Sequence, residues 1–488
     1  MSWNRRELLG SLGVASASTL LWAMGCATPK RTAPVAPEAS DEVRPWLHDA
    51  VARLAAVYPS VHALAVAHRR TTAAVDVLGT GLSRAQRAGV ILTVRDAHGA
   101  WREQVTSELS RSSVANAVKA LLGKTGKPAR VAFGPPPKPS NTLPPIHDVD
   151  LRNRVEAIMR SEHIGSSRIV YAAAMIDVDD VTLWSVAPGA DLEQRTRRVR
   201  KRATCAAWNG SRPVVSEVER GWAGGIADQE LDASEVAAAS TRALLMMTPG
   251  ELEEGEYAVV LEPTVVGSMI DALTRGVCTS DAARVPELAA RYPIGAALGA
   301  PALAMIDDPT SKGSYGGFRF DDEGQLARPI TLVDGGRLVD RLSDQRGIAD
   351  KLASHHGRAQ RAGHVGPIEP SASHLRVIPG ATPRTALITD GLILEGSIGA
   401  VFDPRSDRIV IAAARAKELR RASETGRVYP EIELVGELSK LLAAITGLGS
   451  ETTTIAVRAE RAGYARWRSL EVPWLATRGV VRTRRSAR

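Results

Sequence analysis

The stretch "IDDPTSKGSYGGFRFDDEG", residues 306–324, sets Asp307, Asp308, Asp321, Asp322 and Glu323 into one glycine-rich segment. Carboxylates at that density can hold a hard cation, work as an acid and base, or tie up backbone amides in turns. An EF-hand loop needs oxygen donors at alternate positions; counting from Asp307, the third position is Pro309, so that pattern fails. Adjacent strand residues point to opposite faces, so Asp321 and Asp322 converge only where a turn bends the chain. Loops and a strand edge around "GSYGGFRF" are the expected reading. Four of the ten histidines, His355, His356, His364 and His374, fall in a Gly/Pro-rich segment. Imidazoles bind transition metals well, and His355, His356 and His364 with Asp321 or Asp322 make the alternative ligand set. Their spacing matches no compact motif. G-x-S-x-G, H-E-x-x-H and Walker A patterns are absent.

The elements that must position these groups read as α+β. In "DEVRPWLHDAVARLAAVY", Val43, Trp46, Leu47, Ala50, Val51, Leu54 and Tyr58 share one helical face. Alternating segments follow, with "DAHG" as a hairpin turn, and then a serine-capped helix that stops at Gly123. The proline-rich run between residues 126 and 145 is the clearest linker. A second unit opens with the helix "VDLRNRVEAIMRSE", continues in strands and closes on a helix begun by Asp232 and Glu235 at capping-box spacing. Pro263 suits the first turn of a further helix, and many short strands come after it. The expected division is an export signal over 1–26, a tether over 27–40 and an N-terminal α+β domain over 41–124. A linker over 125–147, a middle α+β domain over 148–249 and a large strand-rich C-terminal domain over 250–488 complete it.

The 488 residues carry a formal charge of +8, and the excess is arginine scattered along the chain. Nucleic-acid binding needs a clustered patch with base-reading or stacking residues. The one dense run, "RTRRVRKR" (Arg195 to Arg202), reads as an exposed strand edge, so no nucleic-acid partner is expected. At the amino terminus, Arg5 and Arg6 precede a soft apolar segment that ends at Gly25-Cys26. Paired arginines there resemble a twin-arginine export signal, and small residues before Cys26 resemble a lipoprotein cleavage box, with an uncleaved anchor helix as the alternative. "ATPKRTAPVAPEAS" has the composition of an extended tether. The expectation is a lipoprotein exported to the periplasmic side of a bacterial membrane. Cys205 and Cys278 could pair in an oxidising compartment, which sequence leaves open.

The order "TPGELEEGEYAVVLEPTVVGSMIDAL", then the "DDP…FDDEG…DGGRL" run, then "LRVIPG" resembles the TldD/PmbA family of zinc metallopeptidases and their non-catalytic sister subunits. "EIELVGELSKLLAAITGLGSE" and "LEVPWL" resemble its closing strands. The resemblance implies that the acidic stretch belongs to the fold and that a metal would lie elsewhere. In the peptidase subunits, two histidines of an H-E-x-x-x-H element and a cysteine near the carboxyl end hold zinc, which polarises water against a peptide bond. The matching helix here reads "GSMIDALTRG", and the ligand positions fall near Asp271 and Gly276. No His occurs from 164 to 354 and no Cys after Cys278. The chain therefore resembles the PmbA-like, or TldE-like, branch. That implies no catalytic residues and no cofactor of its own, with zinc only in a TldD-like partner. It also implies a homo- or heterodimer, an extended peptide as substrate and a membrane contact through the lipid anchor. A tethered peptide-binding protein and a divergent metallopeptidase are the alternatives.

Overall fold

The computed structural model describes residues 40–123, 127–135, 144–161, 168–208, 213–246, 250, 252–355, 357–363, 366–461 and 464–484. Arg5, Arg6 and Cys26, and with them the export and anchor expectations, lie outside the described residues.

The chain begins with α1 (Ser40–Ala55), whose Val43, Leu47, Ala50, Val51 and Leu54 are fully buried, as the helical spacing requires. It then lays down β1 (Ser60–Asp76), β2 (Gly79–Arg95) and β3 (Trp101–Thr106). In α2 (Arg111–Leu122), Ser110 caps the amino end and Gly123, at φ 67°, ends the helix in the left-handed region. Next come α3 (Asp148–Arg160), β4 (Ile169–Ala187), β5 (Ala190–Trp208) and β6 (Pro213–Ala223). The helix α4 (Ala233–Leu245) opens with the capping box formed by Asp232 and Glu235.

The segments before and after the proline-rich linker share one antiparallel sheet, ordered β3-β2-β1-β4-β5-β6, joined where β1 pairs with β4. Alternation along its strands gives the sheet two faces. Ala63, Ala65, Ile176, Trp184, Val186 and Val199 meet the helices. The basic run lies in β5, between β4 and β6, so the exposed-edge reading is corrected. Arg197, Arg198 and Lys201 are buried. A charge run can sit inside a sheet where its charges find partners: Arg197 pairs with Asp180, Arg200 with Asp177 and Lys201 with Glu230, while Arg198 donates to the carbonyls of Tyr315 and Gly317.

The rest of the chain continues with β7 (Gly255–Leu261), α5 (Pro263–Val277), α6 (Ser280–Ala283), α7 (Pro286–Arg291), β8 (Met305–Asp307), β9 (Ile330–Asp334) and β10 (Arg337–Leu338). Then follow α8 (Gln345–Ala349), β11 (Ala359–Gln360), β12 (Glu369–Pro370), β13 (His374–Val377), β14 (Gly391–Asp403), β15 (Arg408–Arg420) and β16 (Ser423–Glu437). Last come α9 (Leu438–Ala443), β17 (Gly447–Arg461) and β18 (Tyr464–Thr483). The long β18 pairs with β17 and β13 through its first half, and with β7 and β16 through its second. With β14 and β15 between β7 and β16, the pairings close into a ring. The apolar helix α5 packs on β14 and β18 and buries Val265, Val266, Met269, Ile270 and Leu273.

Candidate functional site

The acidic stretch is a set of clamps. The carboxylate of Asp307 is fully buried, pairs with the guanidinium of Arg358 and accepts from the backbone and hydroxyl of Ser373, each at 2.8 Å. Asp321 accepts the amides of Glu323, Gln325 and Ala359 at 3.0, 2.9 and 2.9 Å. Asp322 accepts the amide of Arg361 at 2.6 Å, and Glu323 that of Gln345 at 2.8 Å. Burial pushes the Asp321 carboxyl up to about 7 against those amides, and Glu323, buried beside Asp321, up to about 8. The stretch therefore organises turns that hold β11 and α8, and two of its members, Asp321 and Asp322, line a cleft.

That cleft has a volume of about 80 Å³ and lies where the six-stranded sheet meets the C-terminal domain. The sheet contributes His68, Gln194, Thr196 and Arg198; the facing loops and β18 contribute Phe320, Asp322, Arg361 and Trp467. Alternation accounts for the first group, since Gln194, Thr196 and Arg198 are every second residue of β5. Gln194 fixes the facing loop by donating to the Phe320 carbonyl at 3.1 Å and accepting from the Arg319 amide at 2.8 Å. The Arg198 guanidinium lies 4.5 Å over the Trp467 ring and donates to the carbonyls of Tyr315 and Gly317 at 2.8 and 2.9 Å. Burial lowers its pKa to about 10.

Behind the cleft stand two buried carboxylates of β4. Asp179 accepts from His68 Nε2 at 2.8 Å and from the Trp467 indole at 3.1 Å, and pairs with Arg458 at 3.4 Å. Asp177 takes Thr72, Arg70 and Arg200 at 2.6, 2.7 and 2.9 Å. Burial alone would raise the Asp177 carboxyl, but Arg200, Arg70 and Arg458 hold it far below the usual carboxylate range. Because Arg458 and Trp467 belong to β17 and β18, this network fastens the C-terminal domain onto the sheet. Sequence reasoning missed His68, Arg198 and Trp467; the period-two pattern of β5 was the one signal that could have singled out Arg198.

The resemblance matches the family's zinc element to "GSMIDALTRG", which lies in α5. Asp271 pairs there with Arg275 at 2.9 Å and with Arg468 of β18. At Gly276, a Cβ would lie 2.3 Å from the Phe402 ring of β14. One carboxylate already bound by two guanidinium groups, and one glycine closed over by an aromatic ring, do not fit a metal that wants two imidazoles and a thiolate. Among the described residues, no group of three or more His, Cys, Asp or Glu side chains is arranged to hold a metal ion. His355 donates from Nδ1 to Asp340 at 2.5 Å, while the Asp321 and Asp322 oxygens take backbone amides; His356 and His364 lie outside the described residues. His374, in β13, bonds the Ser469 hydroxyl at 2.8 Å. Cys205 and Cys278 are buried in separate cores and are not joined to each other, and burial pushes the Cys278 thiol up to about 12.

The PmbA/TldA metallopeptidase C-terminal domain matches residues 254–480. The metalloprotease MJ0996 of Methanocaldococcus jannaschii is 25% identical over 308 residues, which take in 60% of this chain and 66% of that protein, just short of two thirds of its length. Among solved structures, a candidate modulator of DNA gyrase from Bacteroides thetaiotaomicron superposes with a TM-score of 0.72 at 15% identity, over 92% of this chain and 100% of that one. A second candidate gyrase modulator, from Thermotoga maritima, gives 0.69 at 16% identity, over 86% and 96%. TldE from Thermococcus kodakarensis gives 0.67 at 14%, over 87% and 97%. These superpositions establish the fold across both sheets, and the domain match lies on the ring of strands around α5. Residues 254–480 thus carry a PmbA/TldA metallopeptidase C-terminal domain, and the chain is similar to proteins of the TldD/PmbA family.

Proposed function

We propose that this chain is a non-catalytic subunit or scaffold of a TldD-type peptidase, exported and lipid-anchored through Cys26, that helps to enclose or present an extended peptide to a zinc-bearing partner. The observation that carries the reading is the state of α5. Asp271 is neutralised by Arg275 and Arg468, and Gly276 is closed over by Phe402, where the family's peptidases are expected to place imidazoles. Water activation by a Zn²⁺ with an open position therefore has no donor set on this helix. In the described residues, β3 and β6 end the first sheet and β17 has a strand partner on one side. Extended peptides bind by adding a strand to such edges, with main-chain hydrogen bonds supplying affinity.

The test is co-expression with an H-E-x-x-x-H-bearing homologue, followed by size-exclusion chromatography and hydrolysis of an unfolded peptide. A stable complex in which activity needs the partner's zinc and falls when this chain is omitted supports the reading. Zinc near one per chain in the isolated protein, measured by plasma mass spectrometry, would overturn it.

A further inference from the structure

The cleft between the two sheets holds an arginine, Arg198, that feels the charges of Asp179 and Asp322 but forms no direct ion pair among the described residues. Arg198 is 7% exposed, yet among the described residues its hydrogen bonds go to two carbonyls and to no carboxylate, and Nη1 makes none. A buried guanidinium without an anion is expensive to maintain. The other arginines of this wall are engaged: Arg361 pairs with Glu103, and Arg466 with Glu369. Each still has a buried Nε with no hydrogen-bond partner. Across the same cavity, one oxygen of Asp322 accepts the Arg361 amide and the other accepts nothing among the described residues. Phe318, Phe320 and Leu183 supply apolar wall between these charges. A volume of about 80 Å³ has room for roughly six water-sized groups.

We propose that this cleft binds the α-carboxylate end of an amino acid or peptide, with Arg198 as the carboxylate anchor, Asp322 accepting the ligand's adjacent N–H and a small side chain lying against Phe318 and Phe320. A guanidinium and a carboxylate set on opposite walls match the opposed donor and acceptor character of an amino-acid carboxyl terminus. The site is argued from the cleft alone and stands whether or not the chain serves a peptidase. It is also separate from α5, whose Asp271 is engaged by Arg468 and Arg275.

Isothermal titration calorimetry of the full chain with N-acetyl-alanine and N-acetyl-alaninamide tests the carboxylate requirement. The acid is expected to bind at least roughly tenfold tighter than the amide. Arg198→Met should abolish this difference. Thr196→Leu fills the cleft and leaves Arg198 in place, and it should weaken the acid roughly tenfold as well, so a folding defect in the first variant does not decide the matter. Tighter binding by an alanine tripeptide acid than by N-acetyl-alanine would mark the natural source as a peptide end, and equal binding a free amino-acid-sized carboxylate; either upholds the site. Equal affinity for acid and amide, or no heat from any of these probes at millimolar concentration, would overturn it.

Discussion

The carboxylate of Asp271 on α5 is bound by the guanidinium of Arg468 on β18, an ion pair between residues 197 positions apart, with both side chains largely shielded from water. It joins the helix to the strand at the first of the two positions that the resemblance matches to zinc ligands. Removing one member leaves the other charge buried and alone, so Asp271→Ala should cost about 2–4 kcal/mol of stability. The double variant Asp271→Leu/Arg468→Met should recover most of that loss, because replacing a buried pair by apolar groups is often close to neutral. Urea denaturation of the full chain measures both. Equal losses in the single and double variants would mean that the pair does not act as a unit.

Restoring histidines at the two ligand positions should not create a zinc centre. At Gly276 any side chain collides with Phe402, so Gly276→Ala alone is expected to destabilise by about 1–3 kcal/mol. Adding Phe402→Ala should return part of it by opening space. Metal analysis of Asp271→His/Gly276→His should find zinc well below one per chain, and a stoichiometric value would show that the helix readjusts.

Stability should fall as pH rises through neutrality. Asp321 and Glu323 have folded values near 7 and 8, raised from 3.8 and 4.5. Both hold their protons more tightly in the folded chain, so the contribution is complete below about pH 4 and is lost as pH rises through 7 to 8. Between pH 6 and pH 8.5 the urea midpoint should drop by the equivalent of about 1–3 kcal/mol. Glu323→Gln, which keeps an acceptor for the Gln345 amide, should flatten that slope. The depressed Asp177 carboxyl acts in the opposite sense: its contribution is present above about pH 4 and is lost only in strong acid.

Asp179→Asn should loosen the junction between the two sheets. The substitution removes the charge that faces Arg458 and turns one of the two oxygens that accept from His68 and Trp467 into an NH2 donor. A loss of about 3 kcal/mol is expected for a buried pair broken on one side. Hydrogen exchange should rise first along β17 and the first half of β18, while β2 and β3 keep their protection. Uniform exchange increases across both sheets would place the effect in global stability instead.

Short-range spacing already sets the local elements and one chemical absence. The capping box at Asp232 and Glu235, the Ser110 cap, Pro263 at the start of α5 and the buried stripe from Val43 to Leu54 follow from short-range spacing, and each forms as its spacing requires. The lack of histidine from 164 to 354 is likewise a matter of reading letters. Tertiary structure decided which charges meet. The basic run of β5 reads as a solvated edge until β4 and β6 flank it, and His68 finds Asp179 across 111 positions. The acidic stretch becomes a set of amide clamps only because β11 and α8 bring their N–H groups to it. Capping and amphipathic spacing act within a few residues and leave a local signal. Pairing across strands depends on register between distant segments, and a single sequence carries no local mark of it.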